Sequence, residues 1–482
     1  MNRSLLYWAL MLSACGKHGA TPLEGSTRLT PSEPRLDKAD TQELAATAGS
    51  FGNSGLVTAL RPSSAAAPSN LIDNLRPFPN SRGFASTYST AGAIDLNHPF
   101  FKSFGTNQRS CATCHSPATG WTVNPGDIRA RFNATNGLDP IFRPVDGTVC
   151  AQANVSSVQA RQFSYALLLN KGLFRVELPL PTSREFELVN ATGTYCNTPM
   201  QSKVLALFRR PLPATNLKFI ANVMWDGRES KDGLSVRDAL MNQANDATVG
   251  HAQSTSQLSP ETRQQIVDFE TGLFTAQISS LAALDGNGAN GGPKFLADVP
   301  FAIDINAEPN LNPVVFSLFD RWITGARSPG EAAIARGQQV FNTKRFRIRN
   351  VAGASSQDFV GSCATCHNTP NVGSYSETDF LNIGIGSASR RTPDLPLYTL
   401  RNKTTGATVS VSDVGRAMVT GKWADIGKFK PANLRALATR APYFHDGSAP
   451  TIEDVIGFYE ARFGISFTAM ERADLSAFLR SL

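Results

Sequence analysis

The 482-residue chain has no apolar run of the roughly 20 residues that a helix needs to cross a bilayer. Its apolar stretch near the start, Leu5 to Leu12, is too short for that. Nor is there a block of five or more basic residues, although 46 Lys and Arg against 39 Asp and Glu give a formal charge of +7. Scattered basic residues make a nucleic-acid partner a poor reading. Charged residues are only 18% of the chain, too few for a disordered polyelectrolyte, and 41% hydrophobic residues can build real cores. The 38 glycines show no collagen-like period. At about 150 residues per domain, the length suggests three units, or two with tails.

Histidine and cysteine are scarce, at six and seven residues, yet they cluster. Cys111-Ala-Thr-Cys114-His115 and Cys363-Ala-Thr-Cys366-His367 are identical pentapeptides. Cys-x-x-Cys-His is the attachment pattern of c-type haem, in which two thiols bond the vinyl groups and the histidine meets the iron. Random placement predicts on the order of 0.001 such matches. A zinc site would need further ligands near each motif. Only His98 lies near the first and nothing lies near the second, so two covalent haem c groups are expected.

Three cysteines remain. Cys15 closes Leu12-Ser13-Ala14-Cys15 after Arg3 and the short apolar stretch, which is secretory-signal chemistry and is similar to a lipoprotein lipobox. The expectation is a signal peptide over 1–14 and lipidation of Cys15. Gly16 in place of Asp favours an outer-membrane lipoprotein facing the periplasm, or the outside. Residues 15–78 read as a flexible tether, with Ser63 to Ser69 of linker composition. Export permits a disulfide, expected between Cys150 and Cys196, with free buried thiols as the alternative.

The fold class expected is mostly α, with two class I cytochrome c-like haem domains. The first, residues 79–327, is elaborated by a long irregular insertion over about 125–215 that is rich in Pro, Gly and Asn. The second covers 328–482. Apolar spacing predicts helices over Leu234 to Ala244 and Pro260 to Ala276, the latter opening at Ser259-Pro260-Glu261. Ser328-Pro329-Gly330-Glu331 opens another, and Leu475, Phe478, Leu479 and Leu482 mark a terminal packing helix.

Further strings narrow the reading: Met224-Trp225-Asp226-Gly227-Arg228 between the haem motifs, then Asp413-Val-Gly-Arg416, Phe429-Lys430-Pro431, Pro442-Tyr-Phe-His-Asp-Gly447 and Thr451-Ile-Glu-Asp-Val455 with Phe458-Tyr459. In this order and spacing the chain resembles the bacterial di-haem cytochrome c peroxidase and MauG family, over roughly 95–125, 220–255 and 330–482. The resemblance implies that the His115 haem reacts with hydrogen peroxide and the His367 haem admits electrons. It places a relaying tryptophan between them at Trp225, and Arg228 as a residue that steadies a propionate.

The resemblance also exposes departures. Family peroxidases carry a gating histidine soon after the first motif, but no histidine lies between His115 and His251. The family's acid/base is a glutamate about twenty residues after the tryptophan, where this chain has Gln253. Gln cannot titrate and His can, so His251 is the distal candidate, as acid/base or as iron ligand. The second haem's sixth ligand lies fourteen residues after His445, which is Tyr459, as in MauG; Met418 competes for that role. His445 is expected at the second haem's edge and His98 in the turn before the first motif. Family peroxidases hold a calcium ion partly through a threonine at the position of Arg440, which puts calcium in doubt.

The implied function is an exported di-haem oxidoreductase reducing hydrogen peroxide with electrons from a small periplasmic donor, a cytochrome c or copper protein. A MauG-like oxidase of a partner protein and a plain electron-transfer cytochrome are the alternatives. Homodimerisation is expected by family analogy alone.

Overall fold

Apolar spacing and cap chemistry place the helices. In the computed structural model, which describes residues 70–193, 195, 204–231, 233–299, 314–355 and 357–482, six helices have eleven or more residues. They are α1 (Pro125–Thr135), α2 (Val236–Gly250), α3 (Pro260–Thr271), α4 (Pro329–Thr343), α5 (Ile452–Phe463) and α6 (Ala469–Leu479). Ser235, Ser259 and Ser328 cap α2, α3 and α4, each accepting from a backbone amide three residues on. Pro260 and Pro329 open α3 and α4, where a missing N–H costs nothing.

The helix expected over Pro260 to Ala276 stops at Thr271. Gly272 caps it, and Leu273 onward becomes a buried strand, because its apolar residues face a partner strand instead of a helix groove. Strands of four or more residues are β1 (Gly83–Ser89), β2 (Phe174–Pro179), β3 (Phe186–Thr192), β4 (Val204–Arg209), β5 (Leu273–Ser279), β6 (Leu397–Asn402) and β7 (Thr408–Val411). β1 pairs antiparallel with β5, with Thr87 opposite Thr275. β2 pairs with β4, and β6 lies between β3 and β7. The expectation of a mostly α fold is therefore too narrow: six small sheets accompany the helices among the described residues.

The segment expected to be irregular contains α1 and three of these strands. Its β3 is hydrogen-bonded to β6, about 200 residues later, so it is integral to the second half of the chain. Residues Pro68–Leu482 form one compact unit, and the boundary expected at 327/328 runs through it. Folded structure also starts within the segment expected as tether, since Leu71–Asp73 pairs with Ala93–Asp95.

The main core lies between α4 and α6, where Phe316 meets Phe341 and Phe478 edge to face, Phe319 meets Phe478 the same way, and Phe341 is tilted against Phe478. Gly337 permits this crossing: a Cβ there would stand 2.0 Å from the Asp474 carbonyl oxygen. Among the described residues no helix is long and apolar enough to cross a membrane. Cys15, with the expected signal peptide and most of the tether, lies outside the described residues.

Candidate haem sites

Each Cys-x-x-Cys-His begins as one turn of 3-10 helix, Cys111–Thr113 and Cys363–Thr365. The preceding serine closes each turn, its amide donating to the threonine hydroxyl at 2.9 Å (Ser110 to Thr113) and 3.0 Å (Ser362 to Thr365). The turn brings both thiols and the histidine to one wall of a cavity. The His115 cavity has about 210 Å³ of water-accessible space and the His367 cavity about 230 Å³.

His115 Nδ1 lies 2.8 Å from Trp121 O and His367 Nδ1 lies 2.6 Å from Gly373 O. A carbonyl can only accept, so each Nδ1 carries the proton and each Nε2 keeps its lone pair, the tautomer a metal-ligating histidine needs. Burial lowers the pKa of both rings, which keeps them neutral, as ligands must be.

The cavities fit haem c on two further counts. The His367 cavity is mainly apolar, walled by side chains such as Phe341, Phe346, Leu381, Ile385 and Leu475. Its polar wall carries Arg210 and Arg440, both buried, and half-buried Lys430. Burial pulls Arg210 down to about 9, with Arg440 adding repulsion, and Arg440 down to about 10. Neither has an ion-pair partner among the described residues, and Arg440 Nε has no hydrogen bond. Haem propionates would supply the missing anions. Arg210 donates to the carbonyls of Lys171, Val123 and Arg440, so the surroundings of Arg440 hold a second buried cationic group.

Trp225 lines both cavities. Its indole N–H donates to Arg210 O at 2.8 Å, and its carbonyl accepts from Lys430 N at 3.0 Å. Arg228 lines the His115 cavity, with one guanidinium nitrogen 3.3 Å from Asp226. Asp226 and Asp413 are joined by buried Arg209 at 2.5 and 2.7 Å. Burial works against the Asp226 charge, but Arg209 and Arg228 hold it down to about 2.

His251 caps the C-terminus of α2 and lines the His115 cavity. Its Nδ1 lies 2.6 Å from Asp146, which sequence reasoning missed. Burial would raise the Asp146 carboxyl, but Arg109 and His251 beside it hold it below the usual range. Glu270 was also missed: it lines the same cavity from α3, and burial pushes it up to about 8. Its amphipathic helix was visible in the sequence, but an inward-facing charge was not. Gln253 is absent from the cavity wall and accepts a bond from Asn107.

Tyr459 lines the His367 cavity from α5, and burial raises its phenol above the usual value. Met418 does not. It packs with Phe186, Leu205 and Tyr398 in the core beneath the β3–β6–β7 sheet, because the short helix Ala417–Thr420 turns it that way. The competing assignment of Met418 as axial ligand is therefore corrected. His445 is fully buried, stacked on Phe429 at 4.1 Å and edge-on to Trp225 at 6.2 Å. His98 caps the turn Pro99–Phe101, as expected, its Nδ1 accepting from Phe100 N at 3.2 Å. Cys150 is disulfide-bonded. Its expected partner Cys196 lies outside the described residues.

No protein-family model matches the chain. Over 187 residues it is 30% identical to the cytochrome-c peroxidase IdrP1 of Denitromonas iodatirespirans, covering 34% of this chain and 44% of that protein. Over 297 residues it is 24% identical to the methylamine utilization protein MauG of Methylophilus methylotrophus, covering 59% and 70%. At this low identity the chain is similar to bacterial cytochrome c peroxidases and to MauG. It spans less than half the length of the IdrP1 peroxidases that it matches. A solved MauG-like protein associated with microbial copper homeostasis aligns with a TM-score of 0.33 at 19% identity, over 58% of this chain and 75% of that one.

Proposed function

We propose that the chain is an exported di-haem c-type oxidoreductase that reduces hydrogen peroxide to two waters, taking two electrons from a small periplasmic donor and two protons. The observation that carries this reading is Trp225, whose indole is shared by the walls of both Cys-x-x-Cys-His cavities. Bound haem c would supply, at each centre, an iron that changes oxidation state by one electron at a time.

The chain's own residues do the rest. Cys111, Cys114 and His115 would hold one haem, and Cys363, Cys366 and His367 the other, with Arg210 and Arg440 beside the anionic edge of the second. His251 stands on the wall of the first cavity, where it takes a proton from one peroxide oxygen and returns it to the other as water leaves. Trp225, on the wall of both cavities, would relay electrons between the two groups, and Arg228 would steady a haem held by His115 from the same wall. Lipidation at Cys15 and an outer-membrane location facing the periplasm complete the proposal, on the strength of the sequence around Arg3 and Cys15.

The second reading, a MauG-like oxidase of a partner protein, is favoured by Tyr459 on the wall of the His367 cavity. A tyrosine ligand would lower the potential of that centre, as in MauG-type sites. Low-temperature EPR of the ferric protein, before and after stoichiometric peroxide, tests the proposal. A high-spin signal that peroxide abolishes is expected. Two low-spin signals unchanged by peroxide in the ferric protein, with no peroxide-reactive high-spin signal in the half-reduced protein, would instead identify an electron carrier. Fast reaction with peroxide but poor turnover of small donors would select the partner-protein reading.

A further inference from the structure

We propose that Asp146 is a positioning residue for His251: it fixes the imidazole so that Nε2 is the free proton acceptor in the His115 cavity. This rests on the peroxide-reducing reading and deepens it.

The geometry sets the tautomer. Asp146 Oδ2 stands 2.6 Å from His251 Nδ1, and a carboxylate accepts, so Nδ1 must carry the proton. A neutral imidazole has one N–H, which leaves the lone pair on Nε2. The ring needs this help. It sits past the last turn of α2 with its side chain 48% exposed, and Asp146 is the side chain bonded to it.

Asp146 is itself immobilised. One nitrogen of Arg109 lies 2.6 and 2.7 Å from its two carboxylate oxygens, and both side chains are almost fully buried. Arg109 also donates from Nε to Pro140 O at 2.8 Å and from its other terminal nitrogen to Ile141 O at 2.7 Å. On the backbone side, the Asp146 carbonyl accepts from Arg175 N at 2.7 Å. The His251 carbonyl is held by Asn107 Nδ2 at 2.8 Å. Both ends of the pair are therefore held by further hydrogen bonds, and the long segment after the first haem motif acquires a role. It brings a carboxylate 105 residues away in sequence against the distal histidine.

Cyanide association offers a readout without turnover, because HCN must lose its proton to a nearby base as it binds ferric haem. Both cyanide association and the stoichiometric peroxide reaction are measured on the holoprotein. D146N is expected to slow each by about 10- to 100-fold, the usual effect of losing a carboxylate that orients a histidine. D146E, which keeps the acceptor, recovers most of the loss. In an H251A background D146N changes neither rate by more than about twofold.

D146N rates within about twofold of wild type overturn the proposal, as does an equal slowing by D146N with and without His251. If D146N leaves Arg109 uncompensated and fails to yield holoprotein, R109Q/D146N removes both buried charges together. The same slowing is expected, and wild-type rates would overturn the proposal. Cyanide binding that depends on His251 and Asp146 in a protein that does not consume peroxide would sink the peroxidase reading alone. Peroxide consumption indifferent to D146N would sink the Asp146 assignment alone.

Discussion

Replacing Gly105 by alanine should disable the distal site without touching a group that does chemistry. A Cβ at position 105 would lie 1.7 Å from the Ala252 carbonyl oxygen and 2.4 Å from its carbon, where ordinary contact is 3.4–4 Å. The obstacle is backbone, so no side chain can swing aside, and the two segments must part by about 1.7 Å. Four hydrogen bonds join residues 106–107 to 251–253 across this contact: Thr106 N and Oγ1 to Gln253 O, and Asn107 Nδ2 to His251 O and to Gln253 Oε1. At about 1 kcal/mol each, their loss costs about 4 kcal/mol. His251 is the neighbour of Ala252, and a displacement of that size breaks its 2.6 Å bond to Asp146. Misplacing a reacting group by about 1 Å costs on the order of 100-fold in rate. Gly250→Ala is the control: it adjoins His251 on the other side, yet nothing lies within 4 Å of a Cβ there. The assay pairs urea unfolding with stopped-flow mixing of ferric protein and peroxide. Gly105→Ala should lose both stability and rate while Gly250→Ala keeps both. A rate for Gly105→Ala equal to wild type would refute the reasoning, whatever happened to stability.

Glu270 makes a pH-dependent prediction. Burial pushes its carboxyl up to about 8, and Oε2 has no hydrogen-bond partner. The folded state thus binds this proton more tightly than the unfolded state, whose glutamate titrates near ~4.3. Its contribution to stability is full at low pH and is lost as pH rises toward 8, with a slope of up to about 1.4 kcal/mol per pH unit. Glu270→Gln should therefore gain on wild type between pH 5 and 9 in urea midpoints; an equal difference at both ends would show that the carboxyl is not buried as argued. Trp225→Phe removes the indole and its bond to Arg210 O while keeping an aromatic ring between the cavities. Donor-dependent turnover should fall by about 10-fold or more while the stoichiometric peroxide reaction keeps its rate, and unchanged turnover would take Trp225 off the path.

Which features were legible in the sequence depended on how local their chemistry is. The haem-attachment turns are readable because the thiols and the histidine must follow one another within five residues, and the fold places each set on a single cavity wall. The Ser-Pro openings of α3 and α4 are readable for the same reason, since a cap acts within three residues. The end of α3 is not legible in the sequence because Phe274 and Ala276 continue an apolar pattern that serves a helix or a strand equally well, and the pairing of β5 with β1 decides between them. Tyr459 and Met418 are not separated by spacing, for both lie on helices in apolar surroundings. Only the packing shows that one faces the His367 cavity and the other a sheet. Asp146 is the extreme case. It lies in a stretch without periodicity, it is one of many acidic residues, and its meaning comes from Arg109 and His251, 37 and 105 residues away. The stretch expected as an elaboration on the first half thus carries β3 into the sheet of the second half and the Asp146 carboxylate to His251 on the wall of the His115 cavity. Deleting it would expose the β6 edge and release His251 together, so fold and site cannot be separated there.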